Sequence, residues 1–268
     1  MAAPTRDQVL SLLAAANNHG DLAVKTSSLK QAKDLLLSID PSLAADLFPY
    51  LLELQSSPES LVRKLLIQII EEIGFKAAEQ SPTLISVLLT FLRDNDEIVV
   101  KQSIVSGTNI FCSIFEELIV QFQQYGKVER WLEDIWVWML KFKDAVFGIA
   151  LESSAEILGC APLIMRITNQ VLSFYQSTPG SVGIKLLALK FLEMFVLLFS
   201  SDFNDAEKLA AKGIRQAVNV SWLVGHPHPV LDPVVLMSDA NRTIGILLNL
   251  LQSVGSLPGC LTIAVVNW

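Results

Sequence analysis

The sequence predicts an all-α fold, a HEAT/armadillo-like α-solenoid of antiparallel helix pairs. Three observations predict it. Apolar residues recur at helical spacing along almost the whole chain. Cap-and-proline signals mark where helices start, with only short links between them. A helix–turn–helix pattern returns with a period of about 38 residues. No run of strict apolar/polar alternation, which a half-buried strand would need, interrupts the pattern.

The elements follow in chain order. Asp40-Pro41, Ser57-Pro58 and Ser81-Pro82 each set a capping side chain before a proline. Such a cap accepts an orphan backbone N–H, and proline loses nothing at the first helical position. Pro49, inside the apolar segment Leu43 to Leu54, predicts a kink there. From Glu59 to Ile73 the apolar set Leu61, Val62, Leu65, Leu66, Ile69, Ile70 and Ile73 forms one stripe. Arg63, Lys64, Gln68, Glu71 and Glu72 fall off that stripe and are expected to face water. Pro82 to Leu92 repeats the theme with Leu84, Ile85, Leu88, Leu89 and Leu92. Asp94 and Asp96 then supply a turn and a cap before Glu97. Links as short as Gln55–Ser57 and Arg93–Asp96 make neighbouring helices antiparallel.

The repeat is visible in the residues. Leu54 to Ile73 (L-Q-S-S-P-E-S-L-V-R-K-L-L-I-Q-I-I-E-E-I) matches Leu92 to Gly107 (L-R-D-N-D-E-I-V-V-K-Q-S-I-V-S-G). Val62-Arg63 in the first copy recurs as Val100-Lys101 in the second. Gly183 to Phe191 (G-I-K-L-L-A-L-K-F) is a third copy, with Ile184-Lys185 at the same phase and roughly two periods further on. Periods of about 40 residues with two helices each mark HEAT or armadillo arrays, where each pair packs on its neighbours.

Composition agrees with stacking. Of 268 residues, 51% are hydrophobic and 18% charged, which excludes a disordered chain. The mean hydropathy of +0.46 raises the question of a membrane span. Leu186 to Phe199 is short and contains Lys190 and Glu193; Thr243 to Trp268 carries Asn249, Gln252, Ser253, Ser256 and the breaker Pro258-Gly259. Neither meets the need for roughly 20 consecutive apolar residues, so no membrane partner is expected. The start MAAPTRDQ shows no basic region followed by an apolar core, so no signal peptide is expected. A net charge of −7 argues against a long phosphate-binding groove and hence against direct nucleic-acid binding. Cys112, Cys160 and Cys260 are widely spaced in apolar surroundings and read as buried free thiols.

Catalytic and metal chemistry finds little support. His226-Pro-His228-Pro-Val-Leu-Asp232 has metal-ligand residue types, but the spacing matches no metal motif and a proline-rich loop is favoured. His19, next to Gly20, reads as a turn residue. No nucleophile elbow, phosphate loop or dinucleotide fingerprint is present, so neither an enzyme nor a cofactor is expected. Trp131, Trp136, Trp138, Phe142 and Phe147 fit a packed inter-helix core, with a partner groove as the alternative. Aromatic stacking on RNA is opposed by Glu129, Glu133, Asp134 and Asp144, which cancel the nearby Lys127, Arg130, Lys141 and Lys143.

The segments V-R-K-L-L-I-Q-I-I-E-E-I, L-R-D-N-D-E-I-V-V-K-Q-S-I and G-I-K-L-L-A-L-K-F-L-E resemble the N-terminal HEAT domain of the symplekin family from about Val9 onward. Asp232 to Ser253 and the tail S-L-P-G-C-L-T-I-A-V-V-N are most similar to plant members. The resemblance implies a non-enzymatic nuclear scaffold of pre-mRNA cleavage and polyadenylation. Its concave face, lined by second helices, would bind the phosphatase of the RNA polymerase II C-terminal domain, alongside other cleavage and polyadenylation factors. Carried over by position, Lys190 is the leading contact, with Lys185 and Glu193 near it and Lys101 on an earlier second helix. A generic HEAT adaptor in transport or another assembly is the alternative.

On this reading residues 1–268 form a single HEAT-repeat domain with two departures from the family pattern. The first is the stretch Ser153 to Thr178, which the pattern lacks; without it, the spacing from Val100 to Ile184 falls short of two periods. This stretch is expected to be an insertion that protrudes. The second is the apolar end Val265-Val266-Asn267-Trp268. It predicts an array incomplete at its C-terminal end, as in a shortened isoform or fragment, with an exposed apolar patch. A chain lacking Ser153 to Thr178 is therefore expected to keep its helical circular-dichroism spectrum and cooperative melt; unfolding would contradict the insertion reading.

Overall fold

The computed structural model describes residues 6–73, 81–158, 182–200, 223 and 228–252. All regular structure among them is helical: α1 (Arg6–Asn18), α2 (Leu22–Ser38), α3 (Pro41–Ala45), α4 (Phe48–Leu52), a 3-10 turn (Glu53–Ser56), α5 (Ser60–Ile73), α6 (Ser81–Phe91), α7 (Glu97–Tyr125), α8 (Arg130–Leu158), α9 (Val182–Phe199) and α10 (Pro233–Gln252). Two compact units are distinguished: Met1–Ile110 with Asp134–Met139, and Phe111–Glu133 with Leu140–Trp268.

The first unit is built from helix pairs. A short link joins α1 to α2, so the two run antiparallel, and each buries an apolar stripe: Val9, Leu13 and Ala16 in α1, Leu29, Ala32 and Leu36 in α2. His19 takes the turn role expected of it, its Nδ1 accepting from the Asp21 N–H at 3.0 Å. Asp21 in turn caps α2, accepting from the Ala23 N–H at 2.9 Å. Asp40 caps α3 through the Ser42 N–H at 2.9 Å, as the sequence predicts.

Two expectations about prolines change. Pro49 does not kink one helix; the chain breaks before it, at Asp46–Leu47, and Pro49 occupies the first turn of α4, where its missing N–H is no loss. Ser57 does not cap α5, which begins only at Ser60. The Ser57 hydroxyl donates to Glu59 at 2.8 Å, and the residue is buried. Its carbonyl and that of Pro58 are taken by Arg63 Nη1, at 2.6 and 3.1 Å. This turn serves as an acceptor rather than a cap.

The second helices of successive pairs, α2, α5 and α7, share one register. Val24-Lys25 stands one period before Val62-Arg63, as Val62-Arg63 stands one period before Val100-Lys101. Each early cation reaches forward to the next pair. Lys25 Nζ meets both Glu59 carboxylate oxygens, at 3.0 and 3.2 Å. Arg63 forms a two-pronged pair with Asp94, at 2.7 and 2.8 Å. Hydrogen bonds from Ser57 and then Lys25 hold the Glu59 carboxyl below its usual range. Further rungs join Lys33 to Glu72, Gln68 to Gln102, and Glu71 to Ser106 and Asn109. So Arg63, Gln68 and Glu71, expected to face water, are half-buried and bond to neighbouring elements, while Glu72 is exposed as expected and also pairs with Lys33.

Asp96 caps α7 through the Ile98 N–H at 2.8 Å, and Asp94 braces the turn by accepting from the Asp96 N–H at 2.8 Å. Within the first unit, Ser103 of α7 donates to the Leu88 carbonyl of α6 at 2.8 Å. By length and composition α7 is apolar enough to cross a membrane, which the expectation of no span did not weigh. Yet 56% of its apolar window is buried inside the protein, as in a core helix. Gly126, at φ 66°, terminates it, with its N–H on the Phe122 carbonyl at 2.9 Å.

The second unit centres on phenylalanines. Phe111 and Phe115 of α7, Phe142 of α8, and Phe191, Phe195 and Phe199 of α9 are fully buried. They meet mostly edge-to-face, with centroids 4.9 to 6.3 Å apart. Each such pair adds about 0.5–1.5 kcal/mol beyond area burial. Lys143 sits at their edge, 5.3 Å from the Phe195 centroid, paired with Asp239 of α10 at 2.7 Å and Asp144 at 3.1 Å. Asp232 caps α10 through the Val234 N–H at 2.9 Å. His228 holds the segment before it. Its Nδ1 accepts from the Val230 and Leu231 N–H groups at 3.1 and 3.0 Å, so the proton lies on Nε2, which donates to the Leu118 carbonyl at 3.1 Å.

Of the Ser153–Thr178 segment, residues 153–158 continue α8 and the rest lies outside the described residues. The apolar end at Val265–Trp268 lies outside them too.

Local geometry sets the sign of two glycine substitutions. A Cβ added at Gly148, inside α8, meets nothing within 4 Å, whereas Gly126 needs its left-handed backbone. Gly148→Ala should therefore stabilise by about 0.5–1 kcal/mol and Gly126→Ala destabilise by about 1 kcal/mol, read from denaturant midpoints. The histidine makes a pH prediction. Burial depresses the His228 pKa, only partly opposed by the Leu118 carbonyl. The unfolded chain takes up that proton first, near pH ~6.5. The histidine's contribution is thus complete above that pH and declines as pH falls towards the depressed folded value. His228→Gln should lower stability at neutral pH by about 1–3 kcal/mol and flatten the loss on mild acidification. An unchanged slope would refute the assignment.

Candidate partner-binding surface

The residues expected to meet a partner sit on two helices. Lys185, Lys190 and Glu193 lie on α9, in the second unit. Lys101 lies on α7, in the first unit. α9 is apolar almost all round, as expected of a helix packed on several sides. Its residues from Gly183 to Phe199 are buried or half-buried, except one: Lys190 is exposed. No ion pair engages its ammonium among the described residues. Behind it, Phe191 and Phe195 lock the helix into the aromatic core. A lysine so placed offers a fixed point charge to an acidic group.

The other three are placed differently. Glu193, three positions on, shares the Lys190 face of the helix. Lys185, five positions back, is turned by about 140° from Lys190 and therefore does not share that face. Both are half-buried and each has an interaction partner within the chain. Lys101 is half-buried and pairs with Glu97 of its own helix at 2.9 Å. Its counterparts in the array, Lys25 and Arg63, are not among the residues the sequence singles out as contacts. The signal for Lys25 is nonetheless there, since Val24-Lys25 stands one repeat before Val62-Arg63.

The aromatic run on α8 divides. Trp136 and Phe142 are buried, as a core reading requires, while Trp131, Trp138 and Phe147 are half-buried. Trp131 Nε1 donates to the Glu129 carboxylate.

Reactive chemistry is weakly provided for among the described residues. Both His228 ring nitrogens are committed to backbone partners, leaving no lone pair for a metal, and no group of three potential metal ligands occurs there. His226 lies outside the described residues, as do Cys160 and Cys260. Cys112 is a free thiol whose pKa is pushed up to about 12, first by burial and then by Glu116. Its thiolate, the nucleophilic form, is scarce at neutral pH.

A family model of the Symplekin/PTA1 N-terminal domain matches residues 96–268. The match starts at Asp96, the cap of α7, later than the resemblance read from about Val9. It takes in α7 to α10, including Lys101, Lys185, Lys190 and Glu193. The chain belongs to the Symplekin/PTA1 N-terminal family, a helical-repeat family of scaffolds in mRNA 3′-end processing.

Proposed function

We propose that this chain is a nuclear, non-enzymatic scaffold that holds the phosphatase of the RNA polymerase II C-terminal domain for the cleavage and polyadenylation machinery. Lys190 is its principal contact. Family membership supports the scaffold role in mRNA 3′-end processing, a nuclear process. The observation that carries the site is the exposure of Lys190 on a helix otherwise buried or half-buried from Gly183 onward. A charge in that position contributes little to folding, because an exposed lysine stabilises almost nothing. It is therefore available to an acidic side chain at small cost in stability.

Glu193 belongs to the same patch and selects against an acidic group on its side. Lys185 and Lys101 are peripheral contacts, since each already interacts within the chain. Other processing factors dock on the remaining helix faces of the same scaffold.

Titration of the purified phosphatase onto the full chain tests this reading. Lys190→Glu should weaken binding at least tenfold, the effect of losing about 1.4 kcal/mol, while the melting temperature stays within about 2 °C. Lys190→Arg, which keeps the charge, should retain most of the affinity. Equal binding by wild type and Lys190→Glu would remove Lys190 from the interface. Failure of the wild-type chain to bind would remove the phosphatase as partner.

A further inference from the structure

The three second helices of the first unit provide a template for what covers them. In α2 the stripe Lys25, Leu29, Ala32 is buried: Leu29 and Ala32 are 0% exposed and the Lys25 side chain 8%. In α5, one repeat on, the stripe Arg63, Ile67, Ile70 behaves alike: Ile67 and Ile70 are 0% exposed and the Arg63 side chain 14%. The same stripe on α7 is Lys101, Val105, Thr108. It is open: Val105 is 39% exposed, the Lys101 side chain 36%, and Thr108 half-buried.

The ion pairs agree with the burial. Lys25, Arg63 and Lys101 each have an acid four positions back on the chain, Asp21, Glu59 and Glu97. Lys25 and Arg63 nevertheless make their ion pairs forward, with Glu59 and Asp94, acids at the turn leading into the next second helix. Lys101 instead folds back to its own acid, Glu97. An unfilled rung and an uncovered apolar residue thus coincide on one stripe.

We infer that Lys101, Val105 and Thr108 form a docking edge for an amphipathic helix of a partner protein whose first turn carries a carboxylate. That carboxylate displaces Glu97 from Lys101, and apolar residues one and two turns later cover Val105 and Thr108, as α5 covers α2. Opposite charge at one end of the edge and apolar surface along it fix the direction in which the helix lies. This rests on the scaffold reading but gives Lys101, only a peripheral contact there, a docking role of its own that does not depend on Lys190 or on whether the partner is the phosphatase.

The test uses the full chain and, as probe, a fluorescent peptide of residues 57–73 stapled as a helix, because α5 is the helix that fills the equivalent edge. Its Glu59 should engage Lys101. Binding should fall at least tenfold in Lys101→Glu and in Val105→Asp; both side chains are exposed enough for the variants to fold, which a thermal melt verifies. A Glu59→Lys peptide should lose affinity for the wild-type chain and recover it on Lys101→Glu. No peptide binding, or binding indifferent to both substitutions and to the charge swap, overturns the inference. If the charge swap succeeds while the phosphatase does not bind, the docking edge stands and the phosphatase reading falls. If phosphatase binding depends on Lys190 while the peptide fails to bind, the docking edge falls alone.

Discussion

A pair of short helices cannot bury its own apolar faces, and the first unit is organised around that constraint. Leu29 and Ile67 are both fully buried, which neither helix could achieve standing alone. Burying a side chain of that size is worth about 1.5–3 kcal/mol. The ionic rungs alongside are energetically smaller: Glu59 is 29% exposed, and pairs open to water contribute about 0–1 kcal/mol. Their role is register. Lys25 and Arg63 lie too deep to remain unpaired cheaply, so a slipped stacking of α5 on α2 would strand a buried cation. Apolar burial drives the stacking, and charge placement selects one alignment of it.

The same division explains the second unit. Six phenylalanines supply the burial, and Lys143 with Asp239 supplies a directional tie between α8 and α10. The ammonium is satisfied on three sides, by two carboxylates and the Phe195 ring. His228 does for the backbone what Lys143 does for side chains. It absorbs two N–H groups that the bend before α10 would otherwise leave without partners, and ties that bend to the Leu118 carbonyl of α7. Buried polar groups are tolerated in both cases because every donor has its acceptor.

Much of this is legible in the sequence, and the failures have physical causes. Helical periodicity reveals the class, because stripes such as Val62, Leu66, Ile69, Ile70 and Ile73 arise from burial itself. Asp40 and Asp96 are readable as caps because a short side chain beside an orphan N–H acts locally. Ser57 misleads because its hydroxyl and carbonyl answer to Glu59 and Arg63, partners that a cap motif does not reveal. Pro49 marks the right segment but has a different effect, since the chain can end one helix and start another at lower cost than bending through proline. The apolar length of α7 is hard to see because Gln102, Ser103 and Ser106 interrupt it; those residues turn out to be the ones that bond to other helices.

The candidate surface is legible in part for a related reason. In a chain with 51% hydrophobic and 18% charged residues, each charge on a helix packed from several sides must be paired, capped or functional. Sequence position singles out Lys190 but does not say which of its charged neighbours share its face. Helix geometry separates Lys185 from it and keeps Glu193 beside it. For Lys101 the informative comparison is with Lys25 and Arg63, which the repeat makes its equivalents. Equivalent residues in a repeat differ chiefly in what lies across them. Where two are largely covered and bonded forward and the third is more open and bonded to its own helix, the difference measures a missing neighbour rather than a weaker residue. A scaffold needs such uncovered edges, because a surface that has satisfied all its own rungs has nothing left to offer a partner.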